Sequence, residues 1–584
     1  MCTWDNHINC IIQNRTKGSK MYTQNMRIKF VSMLLILLCT AGVVFARQYR
    51  RLSVEEYVDK MKAGWIGQMA GVGWGGPTEF RWTGKIIPED KMPSWKPGLI
   101  NQFGQDDIYV EMTFLRTLEL YGMDVSIRQA GIDFANSGYA LWHANRAGRD
   151  NLRKGIAPPD SGHPQFNKHA DDIDYQIEAD YAGLIAPGMP NVAIQLGETF
   201  GRLMNYGDGL YGGQFVGGMY AEAFFEDDIE KIVEAGLKCI PRQSVYHECI
   251  SDVLKWYRQY PDDWQKTWQL IEAKYQKNPD YRKFSCGGPQ TDFNIDAKIN
   301  GAYIVMGLLY GKGDLEDTIV ISTRCGQDSD CNPSNAGGVL FTTVGFSKLP
   351  DKFKSALNSE GKFSHTPYNF PTLIEVCKKL VRQSVVRAGG RIEKDSNGQE
   401  LFVIPVQAAK PTALEQCWEP APAANSKFTK AEMAKITALA GKDLSKAIAK
   451  LAPGWKVVKC GFDMDPKFYP EYQGKKNVLM THPLDHTTGC SILRKVKIPT
   501  GKKTKLQLKV GNDERGDWDL IVKANTKQLL RKTISNETTG KQLIDVTVDL
   551  TSYAGKEIKL ELINQPTDWR FEAGLWGKIA IISE

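Results

Sequence analysis

The spacing of the hydrophobic residues changes once along the chain, and this change divides its 584 residues into two types of structure. From Ser53 to about Arg387, apolar residues recur every three or four positions, as on amphipathic helices. Beyond Gly454 they alternate with polar residues, as in half-buried strands. One hydrophobic core does not extend over a chain of this length. We therefore predict a multidomain protein, with an all-α domain followed by an all-β sandwich of jelly-roll type.

The predicted organisation has four segments. They are a leader with a signal peptide (1–46), a helical domain (47–390), a connector with a short helix at about Lys430 to Leu451 (391–454) and the β-sandwich (455–584). Helices are expected near 109–121, 128–145, 174–186, 191–206, 214–225, 227–239, 244–259, 297–310 and 334–346. Strands are expected at 401–404, 505–510, 520–522, 543–548 and 558–562. Trp518, Trp569 and Trp576 could stack on sugar rings, although packing in the core is the commoner use of such residues.

The amino-terminal segment has the pattern of an export signal. Arg27 and Lys29 precede an almost wholly apolar run from Val31 to Val44, and Ala46 offers a small residue for cleavage. The run is too short to span a bilayer comfortably. We expect a chain exported across the inner membrane to the periplasm or the cell surface, with no integral membrane segment after signal removal. A lipid anchor is not expected, because Leu38 stands before Cys39 where a lipoprotein signal needs a small residue.

Charge and cysteine content exclude several classes of protein. The formal charge is +7, but the leader carries five basic residues against one acid, so little of the excess belongs to the rest of the chain. Without a basic stripe interleaved with aromatic residues, a nucleic-acid partner is not expected. Nine cysteines beyond the leader, spread over a long chain, do not form a disulfide scaffold, and no CxxC spacing indicates zinc. The oligomeric state is not readable from the sequence.

Two clusters of aspartates stand where helical patterns begin. They are residues 104–108, with Gln105, Asp106 and Asp107, and residues 325–332, with Asp328, Asp330, Cys331 and Asn332. Neighbouring carboxylates repel, and burying an unpaired charge costs several kcal/mol, whereas a hard divalent cation binds carboxylate oxygens well. Aspartate also caps helices, so either cluster alone is explained equally well as a helix start. Together they favour a metal site for one or two ions, Mg²⁺ first and Mn²⁺ or Ca²⁺ as alternatives.

Other motifs suggest a pocket. Glu79 lies in a loop rich in glycine, proline and aromatic residues, where burial could raise its pKa and suit it to acid–base chemistry. A third acidic segment contains Asp171, Asp172, Asp174 and Glu178, which could hold substrate hydroxyls or simply form a solvated helix start. Two GxGxxG matches, 71–76 and 207–212, do not follow strands, so a dinucleotide site is rejected. They could instead let helices approach closely or form pocket loops. In the second motif and the second cluster, the candidate substrate-binding residues are Tyr206, Gly207, Asp208, Tyr211, Gly212 and Asn332.

The motifs resemble those of the ADP-ribosylglycohydrolase superfamily, which includes the dinitrogenase reductase-activating glycohydrolases. The resemblance covers about residues 52–385. The motifs that carry it are Asp59, Gly64, Gly67, Gly71, the Glu79 loop, Asp106, Asp107 and the segment 326–330. The resemblance implies an all-α fold with a central cleft and a binuclear Mg²⁺ or Mn²⁺ site. Its ligands would be Asp106, Asp107, Asp328 and Asp330, and Glu79 would occupy the position of the catalytic glutamate of some members.

The chain departs from the family pattern at two positions. The family commonly has threonine where this chain has Gln105 and Cys331. The glutamine could still offer a carbonyl oxygen, but a thiol is a poor ligand for Mg²⁺, which puts Cys331 and the second ion in doubt. Segments 86–103 and 145–170 are longer than in compact members, so we expect a reshaped substrate pocket.

Three functions follow from these observations. The first is an exported metal-dependent glycoside hydrolase that cleaves a glycosidic bond in a glycan, and this bond could be furanosidic. Its acid or base would be Glu79, Asp107 or Asp172. The second is an ADP-ribosylglycohydrolase that releases ADP-ribose from N- or O-linked conjugates, with a ribosyl-type small substrate. The third is a non-catalytic, metal-dependent carbohydrate-binding protein. An exported chain with a jelly-roll-like domain favours the first.

Overall fold

The computed structural model describes residues 48–436, 442–461, 464, 466–484, 487–568 and 571–584. The predicted leader and signal peptide and Trp569 lie outside the described residues. The part from Arg50 to Glu584 forms one compact unit.

The amino-terminal part of this unit is helical, as the hydrophobic spacing predicts. Its helices are α1 (Val54–Gly75), α2 (Asp106–Tyr121), α3 (Ile127–Ala135), α4 (His143–Arg153), α5 (Asp174–Ile177), α6 (Asp180–Leu184), α7 (Pro190–Phe200), α8 (Asp208–Ala223), α9 (Ile229–Leu237), α10 (Val245–Gln259), α11 (Trp264–Ile271), α12 (Ala297–Tyr310), α13 (Leu315–Arg324), α14 (Cys331–Val344) and α15 (Phe370–Arg387). One large cluster of buried side chains runs through these helices. The first helix begins as its sequence indicates, because the Ser53 hydroxyl accepts a hydrogen bond from the N–H of Glu56.

Two predicted helices are interrupted in the structure. The segment predicted as 128–145 ends at Ala135, and a new helix begins at His143. Asn136 closes the first helix, and the following residues 137–142 carry no helix. The segment predicted as 174–186 consists of two short helices, Asp174–Ile177 and Asp180–Leu184. Both breaks lie beside the candidate site described below, and their buried polar residues bind backbone groups that a continuous helix would pair within itself.

A small three-stranded sheet adds to the helical part, which is therefore not purely α-helical. Its strands are β1 (Tyr49–Ser53), β2 (Arg391–Lys394) and β3 (Glu400–Pro405), in the order β1-β3-β2. The last of them contains the strand predicted at 401–404. The connector beyond it lies against the helices, where Asp160 accepts hydrogen bonds from the backbone N–H groups of Ala424 and Ser426. Two further helices follow, α16 (Lys430–Met433) and α17 (Lys442–Leu451), in place of the one predicted.

The carboxyl-terminal part is a β-sandwich, as predicted. Its strands are β4 (Lys456–Val458), β5 (Phe468–Tyr472), β6 (Lys475–Thr481), β7 (Cys490–Lys497), β8 (Thr504–Asn512), β9 (Trp518–Ala524), β10 (Lys527–Ile534), β11 (Ile544–Asp549), β12 (Glu557–Gln565) and β13 (Gly574–Ser583), with a short helix α18 (Asn536–Thr539). They form two five-stranded sheets, ordered β10-β9-β12-β7-β4 and β11-β8-β13-β6-β5. Strands that are distant in sequence are neighbours, as in jelly-roll folds.

The interior of the sandwich is packed by aromatic and aliphatic side chains. The rings of Trp518 and Trp576 lie 5.3 Å apart with both side chains fully buried, so they pack the core and do not present a surface to sugars. Side chains of α17 belong to the same cluster. Within the described ranges, no helix has the length and apolar character needed to cross a membrane.

Candidate metal centre and active site

Two helices distant in sequence approach so closely that only glycine fits between them. A Cβ atom on Gly71 of α1 would lie 2.1 Å from the carbonyl oxygen of Pro333 in α14. A Cβ atom on Gly75 would lie 2.0 Å from the carbonyl oxygen of Ser329. The first glycine-rich motif is thus a helix-packing surface, one of the two uses that its sequence suggests. The close packing of this surface places the Glu79 loop next to the second aspartate cluster.

The two aspartate clusters meet at one pocket. Asp106 and Asp107 form the first turn of α2, and Asp330 is the residue before α14. The pocket has a volume of about 340 Å³ and is lined by Glu79, Phe80, Gln105, Asp106, Trp142, His143, Ile173, Asp174, Ile177, Phe293, Ile295, Asp328 and Cys331. Asp107 is fully buried behind this lining. The structure therefore places the predicted carboxylate ligands together from segments more than 200 residues apart.

The electrostatics of this cluster favour a bound cation. Burial raises the pKa of Asp107 and of Asp328 well above the ordinary value, and neighbouring aspartates add to the effect. Burial together with Asp330 raises the pKa of Asp106 to about 6. Neither carboxylate oxygen of Asp107 has a hydrogen-bond partner among the described residues, and the same holds for Oδ1 of Asp328. Oxygen donors without partners in a crowded anionic site suit a hard divalent ion.

The two residues that depart from the family pattern also lie at this pocket. The Cys331 thiol lies 3.8 Å from Oδ1 of Asp330. Asp328, Asp330 and Cys331 each place one donor atom within 4.8 Å of the others. The side chain of Gln105 is within 3.5 Å of Oε1 of Gln102, to which its Nε2 donates. Both residues line the pocket, and the thiol is the softer donor of the two.

Glu79 projects from a loop that is tied to the second aspartate cluster. The N–H of Phe80 donates to the carbonyl of Gln327 at 3.1 Å, and the N–H of Gln327 donates to the carbonyl of Trp82 at 3.3 Å. Much of the Glu79 side chain is exposed. Desolvation of its carboxyl, with the nearby Asp330 and Asp106, raises its pKa to about 8. Glu79 is thus a carboxyl group at the pocket wall that solvent and a ligand can both reach.

The third acidic segment lies partly at the pocket. Asp174 lines it and accepts hydrogen bonds from the backbone N–H groups of Ala144 and Asn145 at 3.1 and 2.8 Å. Glu178 is buried and accepts a hydrogen bond from the side chain of Asn145. Asp171 is buried and forms an ion pair with Lys298 at 3.3 Å. Asp174 is therefore the member that faces the pocket, and the other two support the structure around it.

Asp172 has partners that spacing along the sequence did not reveal. Its Oδ2 lies 2.7 Å from Nδ1 of His169 and 3.3 Å from Nδ1 of His143. These contacts lower the pKa of Asp172 against the opposing effect of burial, which is the largest single contribution. The two histidines are 26 residues apart in the sequence, and only the fold brings them together.

The candidate substrate-binding set around the second glycine motif does not line this pocket. The hydroxyl of Tyr206 accepts a hydrogen bond from the N–H of Ala421, and the hydroxyl of Tyr211 donates to the carbonyl of Ala413. Both tyrosines therefore anchor the connector. A Cβ atom on Gly207 would lie 3.2 Å from the connector backbone at Glu415.

The remaining members of that set have structural contacts as well. Asp208 accepts a hydrogen bond from the N–H of Tyr246 at 3.1 Å. A Cβ atom on Gly212 would lie 2.5 Å from Oε1 of Gln176, so this glycine permits close packing. The side chain of Asn332 donates to Oδ1 of Asn300 at 2.9 Å. Each is buried for a reason that needs no ligand.

A second, larger cavity adjoins the carboxylate pocket. Its volume is about 1070 Å³, and Trp142 lines both cavities. The helical part contributes Ala140, Leu141, Trp142 and Arg146, and the β-sandwich contributes Met464, Tyr472, His482, Arg515, Asp568 and Phe571. Trp142 and Phe571 expose 53% and 41% of their surface, and the Arg515 guanidinium lies over the Phe571 ring, 4.1 Å from its centroid.

Comparisons with known proteins agree with the resemblance seen in the sequence. A sequence model of the family described as ADP-ribosylglycohydrolase matches residues 53–388. A solved structure titled "ADP-ribosylglycohydrolase-related protein complex" is similar at 14% sequence identity, covering 57% of this chain and 100% of the other, with a TM-score of 0.36. That likeness is too weak to carry an argument. No curated protein sequence matches the chain.

Proposed function

Because the chain belongs to the ADP-ribosylglycohydrolase family, which supports hydrolysis of a glycosyl bond in general, we propose that it is a metal-dependent glycoside hydrolase. Its substrate would be a glycan with a furanosidic or similar linkage. We propose a periplasmic or cell-surface location, on the grounds of the apolar run from Val31 to Val44 and its basic flank.

The two cavities share Trp142 in their walls, and this is the observation that carries the proposal. The carboxylate pocket holds about 340 Å³, room for a sugar unit at the reacting bond, and adjoins a space of about 1070 Å³ at Trp142. A substrate with several sugar units would occupy both. The exposed indole of Trp142 in the larger cavity suits a sugar ring, and the Tyr472 hydroxyl, which donates to Asp513, can accept a hydrogen bond from a sugar hydroxyl.

The residues present fit a hard divalent ion. Asp106, Asp107, Asp328 and Asp330 would hold it, since their oxygens are crowded, largely buried and in part without other partners. Bound there, Mg²⁺ or Mn²⁺ would supply positive charge to orient sugar hydroxyls and to stabilise charge as the glycosidic bond breaks.

Glu79 is the best candidate for the acid–base group. It lines the pocket, and desolvation of its carboxyl, the largest cause of its raised pKa, favours the protonated form that a general acid requires. Asp107 is fully buried behind the pocket, and Asp172 is engaged by two histidines. Glu79 would therefore donate a proton to the oxygen of the leaving group. Asp174, fixed by two backbone N–H groups, would accept a hydrogen bond from a substrate hydroxyl.

The test is an activity screen of the mature chain with Mg²⁺ or Mn²⁺ present. Release of reducing sugar from furanoside-containing glycans is expected from the wild type. In Glu79→Gln it should fall at least about 100-fold, while the calorimetric isotherm for the ion is unchanged. The matched control is Glu360→Gln, an exposed carboxylate outside both cavities, which should retain full activity.

The family name supports a second candidate, release of ADP-ribose from a modified side chain. An ADP-ribosylated arginine peptide in the same screen distinguishes the two. Turnover of the peptide without turnover of any glycan would replace our proposal with this one. Saturable glycan binding without turnover, unaffected by Glu79→Gln, would indicate a carbohydrate-binding protein.

A further inference from the structure

A second group of metal-binding side chains lies beside the carboxylate pocket and has a different chemistry. His143, His169, Asp172 and Cys286 each place one donor atom within 4.8 Å of the others. They come from three separate segments: the start of α4, the loop before α5 and the loop before α12. Two imidazoles, a carboxylate and a thiol form a donor set typical of Zn²⁺ and poorly suited to Mg²⁺.

All four donors lie within 4.8 Å of one another, and one of the two closest distances matches the spacing around a tetrahedrally coordinated ion. Ligand bonds of about 2.0–2.3 Å place neighbouring donors about 3.3–3.8 Å apart. In the structure, Oδ2 of Asp172 is 3.3 Å from Nδ1 of His143 and 2.7 Å from Nδ1 of His169. Small adjustments of these side chains would therefore complete the coordination.

One carboxylate oxygen of Asp172 lies outside its contacts with the two histidines. Asp172 is fully buried, and its Oδ1 lacks a hydrogen-bond partner among the described residues. Leaving a buried carboxylate oxygen without a partner costs stability, on the order of 1–3 kcal/mol. A bound cation would remove that cost.

The segments that carry the donors are held in place by other contacts. The ring of His143 stacks on Phe293 at 5.9 Å, and the residue has a φ of 40°, a strained value for a side chain of this kind. The buried Arg282 donates to Ser285 Oγ at 2.9 Å and to the carbonyl of Phe293 at 2.9 Å, which fixes the loop around Cys286. The site is thus largely formed before an ion arrives.

We propose that His143, His169, Asp172 and Cys286 bind one Zn²⁺ ion, distinct from the hard ion of the aspartate clusters. Binding would replace the thiol proton of Cys286, which is released to solvent. Because His143 also lines the carboxylate pocket, the ion would fix one wall of the pocket and join the three segments that surround it. This inference does not depend on the proposed function.

Cobalt spectroscopy on the full mature chain tests the proposal. Excess Mg²⁺ occupies the carboxylate centre, and Co²⁺ is then added as a probe for Zn²⁺. We expect one Co²⁺ per chain with a thiolate-to-cobalt charge-transfer band, which Zn²⁺ removes by displacement. Cys286→Ser should abolish the band and His169→Gln should weaken Co²⁺ binding at least tenfold. Cys331→Ser is the matched control, because it removes the thiol of the other cluster and should leave the band intact.

Two results would overturn the proposal: no charge-transfer band in the wild type, or a band that survives Cys286→Ser and disappears in Cys331→Ser. Alkylation of the unaltered chain gives a second measurement that does not require a folded variant. Zn²⁺ should slow modification of Cys286 by iodoacetamide at least tenfold, as measured by peptide mass spectrometry. An unchanged rate would also refute the site.

Discussion

The hydroxyl oxygens of Thr78 and Ser329 lie 2.8 Å apart, although 251 residues separate them in the sequence. Both side chains are buried. Thr78 directly precedes Glu79, and Ser329 lies between Asp328 and Asp330. This hydrogen bond therefore fixes the candidate acid relative to the candidate metal ligands.

Removal of the Thr78 hydroxyl should reduce turnover without unfolding the chain. Thr78→Val keeps the shape of the side chain and loses the bond to Ser329, so Glu79 is held less precisely. We expect kcat to fall roughly tenfold, with a smaller change in KM. Steady-state kinetics on the substrate found in the screen measure this.

Thr267→Val is the matched control for that experiment. It removes a buried hydroxyl that lies 2.7 Å from the Tyr310 hydroxyl, outside the pocket lining. An equal loss of kcat in both variants would show that general loosening of the core, and not the placement of Glu79, controls turnover.

Local patterns were sufficient to predict the fold and the aspartate clusters. The three-and-four spacing of apolar residues gave the helices, and the alternation beyond Gly454 gave the sandwich. Asp106 and Asp330 stand at helix starts because an aspartate there compensates the exposed backbone N–H groups. Gly67, Gly71 and Gly75 of α1 are spaced by four residues, as expected for a surface that a second helix approaches.

Features that depend on contacts between distant segments were not predictable from local patterns. Tyr206 and Tyr211 look like pocket residues in sequence, but they bind a connector about 200 residues away. His143 and Asp172 meet only because a predicted helix is interrupted before residue 143. No periodicity in a single sequence encodes such pairings.

Divalent ions should stabilise the protein through the aspartate clusters. At 100 times the dissociation constant, Mn²⁺ is expected to add about 2.7 kcal/mol to the free energy of unfolding. Asp328→Asn/Asp330→Asn should abolish this gain. In EDTA the same variant should be at least as stable as the wild type, because neutral amides avoid the cost of burying charge, which is the largest cause of the raised pKa of both aspartates. Urea unfolding with and without Mn²⁺ measures both effects, and a variant that still gains stability from Mn²⁺ would refute these two residues as ligands.

Glu272 should make the stability of the protein fall as pH rises. Burial raises its pKa to about 7, so the folded state retains a proton that the unfolded state releases near pH 4.5. The contribution of Glu272 to the free energy of unfolding is fully present below pH 4.5 and is lost as pH rises through about 7. Glu272→Gln, which can still accept the hydrogen bond from Tyr303, should therefore be more stable than the wild type at pH 8, by about 2 kcal/mol.

Urea unfolding at pH 5 and pH 8 tests this linkage. Glu557→Gln, at an exposed position of β12, should leave the difference between the two pH values unchanged. If Glu272→Gln also leaves the difference in unfolding free energy between pH 5 and pH 8 unchanged, Glu272 is not the group that links stability to pH in this range.

Substitution of Gly71 should disturb both stability and metal binding, because this glycine sets the distance between α1 and α14. A methyl group there would meet the Pro333 carbonyl oxygen at 2.1 Å, a backbone atom that cannot rotate away. We expect Gly71→Ala to lower the free energy of unfolding by about 1–3 kcal/mol. It should also weaken Mn²⁺ binding, since Asp330 lies at the start of the displaced helix.

Gly98→Ala is the control, because nothing lies within 4 Å of a Cβ atom at that position. Its effect should stay within about 0.5 kcal/mol. Unfolding and calorimetry on the two variants separate the outcomes: full Mn²⁺ affinity in a destabilised Gly71→Ala would mean that helix spacing does not position the ligands.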